Sequence, residues 1–151
     1  MYTHAGPFGD GYEIGVATAP SPTGPWTLRD DVNPVLVANE TWNSHTAGVA
    51  CACIVKRGIA SDLDGAPDYH DAEDGSAIPL GGNHTYLMYY CGTDGASGEH
   101  SDSWNMGVAT APHPLGPFTP FAGNPLVPNT WPDANNSEGL YPSQVLNVDG
   151  R

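Results

Sequence analysis

The chain contains the same passage twice. Ile14 to Pro20 reads IGVATAP and Met106 to Pro112 reads MGVATAP. Each is followed by Pro-x-Gly-Pro-aromatic (Pro22 to Trp26, Pro114 to Phe118), and then by an Asn-Pro-aliphatic triplet (Asn33-Pro34-Val35, Asn124-Pro125-Leu126). The offset is 92 residues through the first two segments and 91 at the third. A match of this length at one offset marks an internal repeat, which constrains architecture before any single residue does.

The 19 glycines and 15 prolines, with no sustained apolar spacing of helical period, point to short strands and many turns. Between the copies, Gly48 to Lys56 (GVACACIVK) is continuously small or apolar, as in a strand buried on both faces. Thr85 to Cys91 (TYLMYYC) is aromatic and branched and runs into the turn-former Gly92-Thr93-Asp94. Asn105 to Thr110 follows, then a Pro/Gly-rich hairpin at Ala111 to Gly116, then Phe118 to Leu126. Four successive strands make an antiparallel meander, the unit of a β-propeller blade.

The expected fold is therefore all-β, a β-propeller fragment with one complete four-stranded blade and parts of two neighbours. The complete blade is placed at residues 48–127, with an acidic loop insertion at 57–83. Residues 1–36 are read as the end of one blade. There Tyr12 to Pro20 is its third strand, Pro25 to Leu36 its fourth, and Met1-Tyr2 the tail of its second, matching Met88-Tyr89. Residues 140–151 are read as the first strand of the next, because Leu140 to Val148 matches Val49 to Arg57. A row of blades with open edges is expected to aggregate or fold poorly.

With 17 acidic against 4 basic residues, the chain lacks the Lys/Arg surface that nucleic acid or anionic membrane requires. The acidity is read as a solubility feature. No apolar run of about 18 residues offers a membrane span, and MYTHAGPFGDG has no basic n-region or apolar h-region. Three glycosylation-type triplets begin at Asn39, Asn83 and Asn135 and are compatible with export. Cys51, Cys53 and Cys91 are an odd number, so at least one thiol is free or pairs outside the chain. Cys51 and Cys53 are expected to share one strand face as small buried hydrophobes. No metal-ligand spacing is present and no cofactor is called for. Asp62-Leu63-Asp64-Gly65 carries part of a calcium-loop pattern, without its other ligands or terminal Glu, so a structural calcium ion is the one metal considered.

In a meander the connections alternate between the two ends of the sheet. One end receives the two SPTGP/HPLGP hairpins and the acidic insertion. The other receives 3–11, 37–47, 93–104 and 128–139, loops that differ between copies and hold Trp42, His45, His100, Trp104, Trp131 and Glu138. Variable polar and aromatic loops on a repeated frame are where function is expected. Glu138 stands at the start of an inner strand, and its counterpart in the preceding blade is Ala47. A carboxylic acid in a partly desolvated pocket has a raised pKa and can protonate a leaving group. Trp42 and Trp131 precede inner strands at related positions. Each suits stacking on a sugar ring or packing within a blade interface. His45 can hydrogen-bond a hydroxyl or cap its loop, and Trp104 is a further candidate substrate contact.

The string Gly-Val-Ala-Thr-Ala-Pro-x-Pro-x-Gly-Pro-Trp/Phe, the following Asn-Pro pair and the Tyr-Leu-Met-Tyr-Tyr strand together resemble the five-bladed β-propeller glycosidases, most closely glycoside hydrolase family 43 and its relatives. The resemblance covers nearly the whole chain apart from the acidic insertion. It implies inverting hydrolysis of O-glycosidic bonds with an Asp base, a tuning Asp and a Glu acid, each on a successive blade. Glu138-Gly139 is similar to the acid motif, although Leu140 stands where that motif usually has Pro. Where the tuning Asp is expected the chain has Ala47, and the base-bearing blade lies outside it. The expected substrate is an oligo- or polysaccharide of arabinan or xylan type, and the expected location extracellular or periplasmic. The alternatives are a non-catalytic carbohydrate-binding propeller, a fructan hydrolase, or a mannoside phosphorylase. The scarcity of Arg and Lys counts against the last, which must hold phosphate.

Overall fold

The computed structural model describes residues 1–6, 11–43, 48–56, 86–93 and 104–128. Among them there are seven strands and no helix: β1 (Tyr2–Ala5), β2 (Glu13–Thr18), β3 (Thr27–Leu28), β4 (Gly48–Lys56), β5 (Tyr86–Thr93), β6 (Asn105–Ala111) and β7 (Thr119–Pro120). They form two antiparallel meanders, a three-stranded sheet ordered β1-β2-β3 and a four-stranded sheet ordered β4-β5-β6-β7.

The strand registers confirm that the sequence repeat is a structural one. Tyr2 pairs with Val16 in the first sheet and Tyr89 with Val108 in the second, so Tyr2 and Tyr89 hold the same place, as the Met1-Tyr2/Met88-Tyr89 match requires. The Pro/Gly hairpins close alike: Gly24 N–H donates to Ser21 O and Gly116 N–H to His113 O, both at 3.0 Å.

The Asn-Pro pairs serve the same purpose in both sheets. Asn33 Oδ1 accepts the Val16 N–H at 2.7 Å, and its Nδ2 donates to Val16 O at 3.0 Å. Asn124 does the same to Val108, at 3.0 and 2.9 Å. An amide side chain thus takes the place of a fourth-strand residue, satisfying a third-strand N–H that would otherwise be left without a described acceptor and adding a second donor to the carbonyl beside it. Both Asn-Pro bonds are cis.

The change of offset from 92 to 91 falls in the turn before this clasp. In the first copy Asn33 N–H closes back on Arg29 O, four residues earlier. In the second, Asn124 N–H closes on Phe121 O, three residues earlier. A shorter turn therefore delivers the asparagine to the same partner.

The two sheets stack face to face. One core cluster joins Ile14, Val16, Val35 and Leu36 of the first sheet to Val49, Met88, Tyr90, Ala109, Ala111 and Phe118 of the second. Three specific links cross it. Phe118 N–H donates to Val35 O at 2.9 Å, the Tyr2 hydroxyl donates to Pro114 O, and the Tyr2 and Phe118 rings meet edge to face at 6.2 Å. At one end of the sheets Tyr12 and Gly48 form a parallel bridge, with Val49 N–H on Tyr12 O at 2.8 Å. Gly48 has φ +100°, and a Cβ there would lie 2.1 Å from Tyr12 N, so only glycine fits. The far face of the second sheet carries a smaller apolar cluster of Val55, Leu87, Tyr89 and Val108.

Several sequence expectations are corrected. Gly48 to Lys56 is a strand, but residues 51–54 are only half-buried, because β4 is an edge strand. Cys51 and Cys53 do not alternate regularly onto one face. The register shifts between Ala50 and Cys53, and Cys51 adopts φ 55°, a β-bulge that interrupts the period of two. The bulge sets Cys51 beside Cys91, whose thiol is pushed up by burial and then by Cys51, and which donates to Ala50 O at 3.3 Å. Gly92 and Thr93 continue β5 instead of turning, and each fourth strand pairs over only two residues, the Asn clasp supplying the remainder. The insertion at 57–83 and the strand expected at 140–151 lie outside the described residues.

Candidate functional site

The registers sort the connections as a meander requires. Gly48 pairs with Thr93, and Gly92 with Asn105, so the entry to β4 and the β5–β6 connection share one end of the second sheet. Tyr12 joins them there through its bridge to Gly48. The hairpin after Ala111 lies at the opposite end, beside Tyr86 and Lys56. The loop-bearing end therefore gathers Tyr12, Trp42, Asn43, Thr93 and Trp104.

Trp42 is half-buried and packs over the second sheet. Its ring lies tilted on Tyr90 with centroids 5.6 Å apart. The glycines beneath it explain the fit, since a Cβ on Gly107 would come 2.6 Å from Trp42 and one on Gly92 within 2.9 Å. These two glycines interrupt otherwise aromatic and branched strands, which signals a close approach. Of the two roles open to Trp42, packing is the one in which its described contacts engage it.

Beside it, Asn43 is 1% exposed. Its Oδ1 accepts the Glu40 N–H at 2.9 Å. Asn43 Nδ2 and Trp42 Nε1 are both buried donors with no hydrogen bond of good geometry among the described residues. Two such donors side by side suit an ordered water, because each unpaired buried group is costly. The Tyr90 hydroxyl below accepts from Asn124 Nδ2 at 3.2 Å. Burial, then the Glu40 carboxylate, push the Tyr90 phenol well above its ordinary range, so it stays neutral at physiological pH.

Nearer the surface Tyr12 is exposed, and the His4 ring meets it edge to face at 5.5 Å. Trp104 is half-buried at the start of β6. Glu138, His45, His100 and Trp131 lie outside the described residues, so of the expected site residues only Trp42 and Trp104 are placed, both at the loop-bearing end. Asn43, Tyr12 and His4 were not anticipated from the sequence. Asn43 gives no periodic signal, and the His4–Tyr12 pair depends on the β1–β2 register.

Among the described residues no group of three or more His, Cys, Asp or Glu could hold a metal ion, and no helix is long and apolar enough to cross a membrane. No family model, curated protein or solved structure matches the chain.

Proposed function

We propose that the chain is part of a β-propeller of the glycoside hydrolase family 43 kind, whose complete form cleaves O-glycosidic bonds of an arabinan- or xylan-type polysaccharide. The observation that carries this reading is the repeated meander, stacked face to face, with its Pro-x-Gly-Pro hairpin at one end of the second sheet and Trp42 and Trp104 at the other. A rigid repeated frame with variable loops gathered at one end is how propellers present a carbohydrate site.

Glu138 is assigned the general acid, donating its proton to the leaving oxygen. The base comes from a carboxylate on another blade, since hydrolysis of this type needs two carboxyl groups on opposite sides of the sugar. Trp104, Trp131 and His45 are assigned contacts to the sugar, and Trp42 shapes the floor beneath them. A single carboxylate at an inner strand entrance does not complete the reaction, so the 151 residues alone are expected to be inactive.

Replacing Glu138 with Gln in a protein containing the remaining blades should abolish sugar release without altering folding. Unchanged turnover would remove Glu138 from the acid role, and clear hydrolysis by the 151 residues alone would overturn the division of carboxylates. Ala47 favours a second reading, a non-catalytic carbohydrate-binding propeller, because it stands where the tuning Asp is expected. That reading predicts oligosaccharide binding unaffected by Glu138→Gln and lost on Trp104→Ala or Trp131→Ala.

A further inference from the structure

Cys51 and Cys91 lie far apart in sequence and side by side in the second sheet. β4 and β5 run antiparallel with Ala50 opposite Cys91, and the Cys91 thiol donates to Ala50 O at 3.3 Å. Cys51 is the next residue, at the bulge where the register shifts before Cys53. The extra residue carries its thiol against that of Cys91. Directly opposed residues of an antiparallel pair have Cα atoms about 4.5–5.5 Å apart, and a disulfide spans about 4.4–6.8 Å. A residue one step from direct opposition, with the two thiols already in contact, needs little backbone movement to be bridged.

The two thiols differ in access. Cys91 has no exposed surface, whereas Cys51 is half-buried and meets solvent. Cys51 is also the only non-glycine among the described residues with a positive φ, at 55°. Such a backbone is uncommon for a side chain of this kind and persists where the surroundings hold it. Cys53 has a different place, opposite Tyr89 and beyond the bulge. In the first sheet His4 stands where Cys91 stands in the second, paired with Ile14 as Cys91 is with Met106. The thiol contact is therefore no part of the repeated frame.

We propose that Cys51 and Cys91 are a disulfide-forming pair, joined by exchange with a low-molecular-weight disulfide such as oxidised glutathione, and that the bond locks β4 to β5. The Cys51 thiolate attacks one sulfur of oxidised glutathione, whose S–S bond breaks and releases one glutathione thiolate. Cys91 gives up its proton and attacks the Cys51 sulfur, expelling the second glutathione thiolate. Two electrons pass from the cysteines to the glutathione, and the two protons end on the released thiols. Burial holds Cys91 in its thiol form, so the second step is the slower one and a mixed disulfide at Cys51 precedes the bridge. The bridge closes a loop that contains residues 57–83, so it constrains the unfolded chain as well as the edge strand. The inference stands whether or not the protein acts on carbohydrate.

The test is incubation of the folded 151-residue chain with oxidised glutathione, followed by alkylation under denaturing conditions and peptide mapping by mass spectrometry. A bridged Cys51–Cys91 peptide pair, with Cys53 outside the bridge, is expected. Urea unfolding reads the lock: the bridged chain should have a midpoint higher by roughly 1–2 M, and dithiothreitol should restore the original value. Cys51→Ala should lose both the bridge and the midpoint shift, and Cys53→Ala should keep both. In Cys91→Ala glutathione should remain on Cys51 as the mixed disulfide. Circular dichroism matching the native chain establishes that each variant is folded, and mapping of the native chain decides the matter if one is not. No bridge, a glutathione adduct that never resolves, or a bridge through Cys53 overturns the proposal. A bridged chain with an unchanged midpoint overturns the lock.

Discussion

Replacing Asn124 with Ala should destabilise the chain by roughly 3 kcal/mol, the sum of three losses. The Val108 N–H, on a residue with no exposed surface, loses its only described acceptor, Asn124 Oδ1 at 3.0 Å. A buried donor left unpaired costs about 1–3 kcal/mol. Val108 O loses the Nδ2 donor at 2.9 Å but keeps the Phe121 N–H at 2.9 Å, so that term is about 1 kcal/mol or less. The Tyr90 hydroxyl loses its 3.2 Å donor, a further fraction of a kcal/mol. Asn33→Ala removes the first two terms at Val16 and has no described counterpart of the third, so it should cost about 2 kcal/mol. Urea unfolding monitored by circular dichroism reads both. With a slope of about 1–2 kcal/mol/M, the Asn124 variant should lower the midpoint by roughly 2 M. The two clasps lie in different sheets with no shared partner, so the double variant should be additive within about 0.5 kcal/mol. Losses below about 0.5 kcal/mol at both sites would refute the view that these amides replace strand pairing.

Two further predictions follow from the contacts between sheets. Gly48→Ala should cost roughly 3 kcal/mol or more, because the methyl group meets Tyr12 backbone at 2.1 Å and the backbone is at φ +100°; native-like hydrogen-exchange protection of the Val49 amide in this variant would contradict that. Burial, then neighbouring Tyr86, push the Tyr2 phenol up to about 12, and its proton is the one donated to Pro114 O. The folded state therefore holds that proton more tightly than the unfolded chain. The associated stability is complete below about pH 10 and is lost as pH rises through about 12. Thermal melts from pH 9 to 12 should record the loss, and Tyr2→Phe should weaken it; an identical alkaline profile in the variant would remove Tyr2 as the cause.

The meander was legible because strand and turn signals alternate along the chain and recur at one offset. The blade assignment of Met1-Tyr2 agrees with the β1–β2 register for the same reason. What stayed hidden is tertiary. The Asn-Pro pairs read as punctuation, and no spacing rule reveals that an asparagine side chain will pair with a strand 17 residues earlier in one copy and 16 in the other. The Cys51 bulge defeats a period-two reading, since one extra residue reverses the faces that follow it. Trp42 was ambiguous until Gly92 and Gly107 came to lie beneath it. Four of the six residues singled out at the loop-bearing end lie on segments outside the described residues, so their chemistry is carried by sequence alone.

The two-residue outermost strands, β3 and β7, also bear on how the molecule avoids unwanted pairing. A strand this short, succeeded by a turn and an amide clasp, gives a foreign chain almost no ladder to extend. The open edges expected from a partial sheet are therefore blunted on the outside of both meanders. Backbone edges accept nearly any extended peptide, and on these two sides of the molecule little such edge is offered.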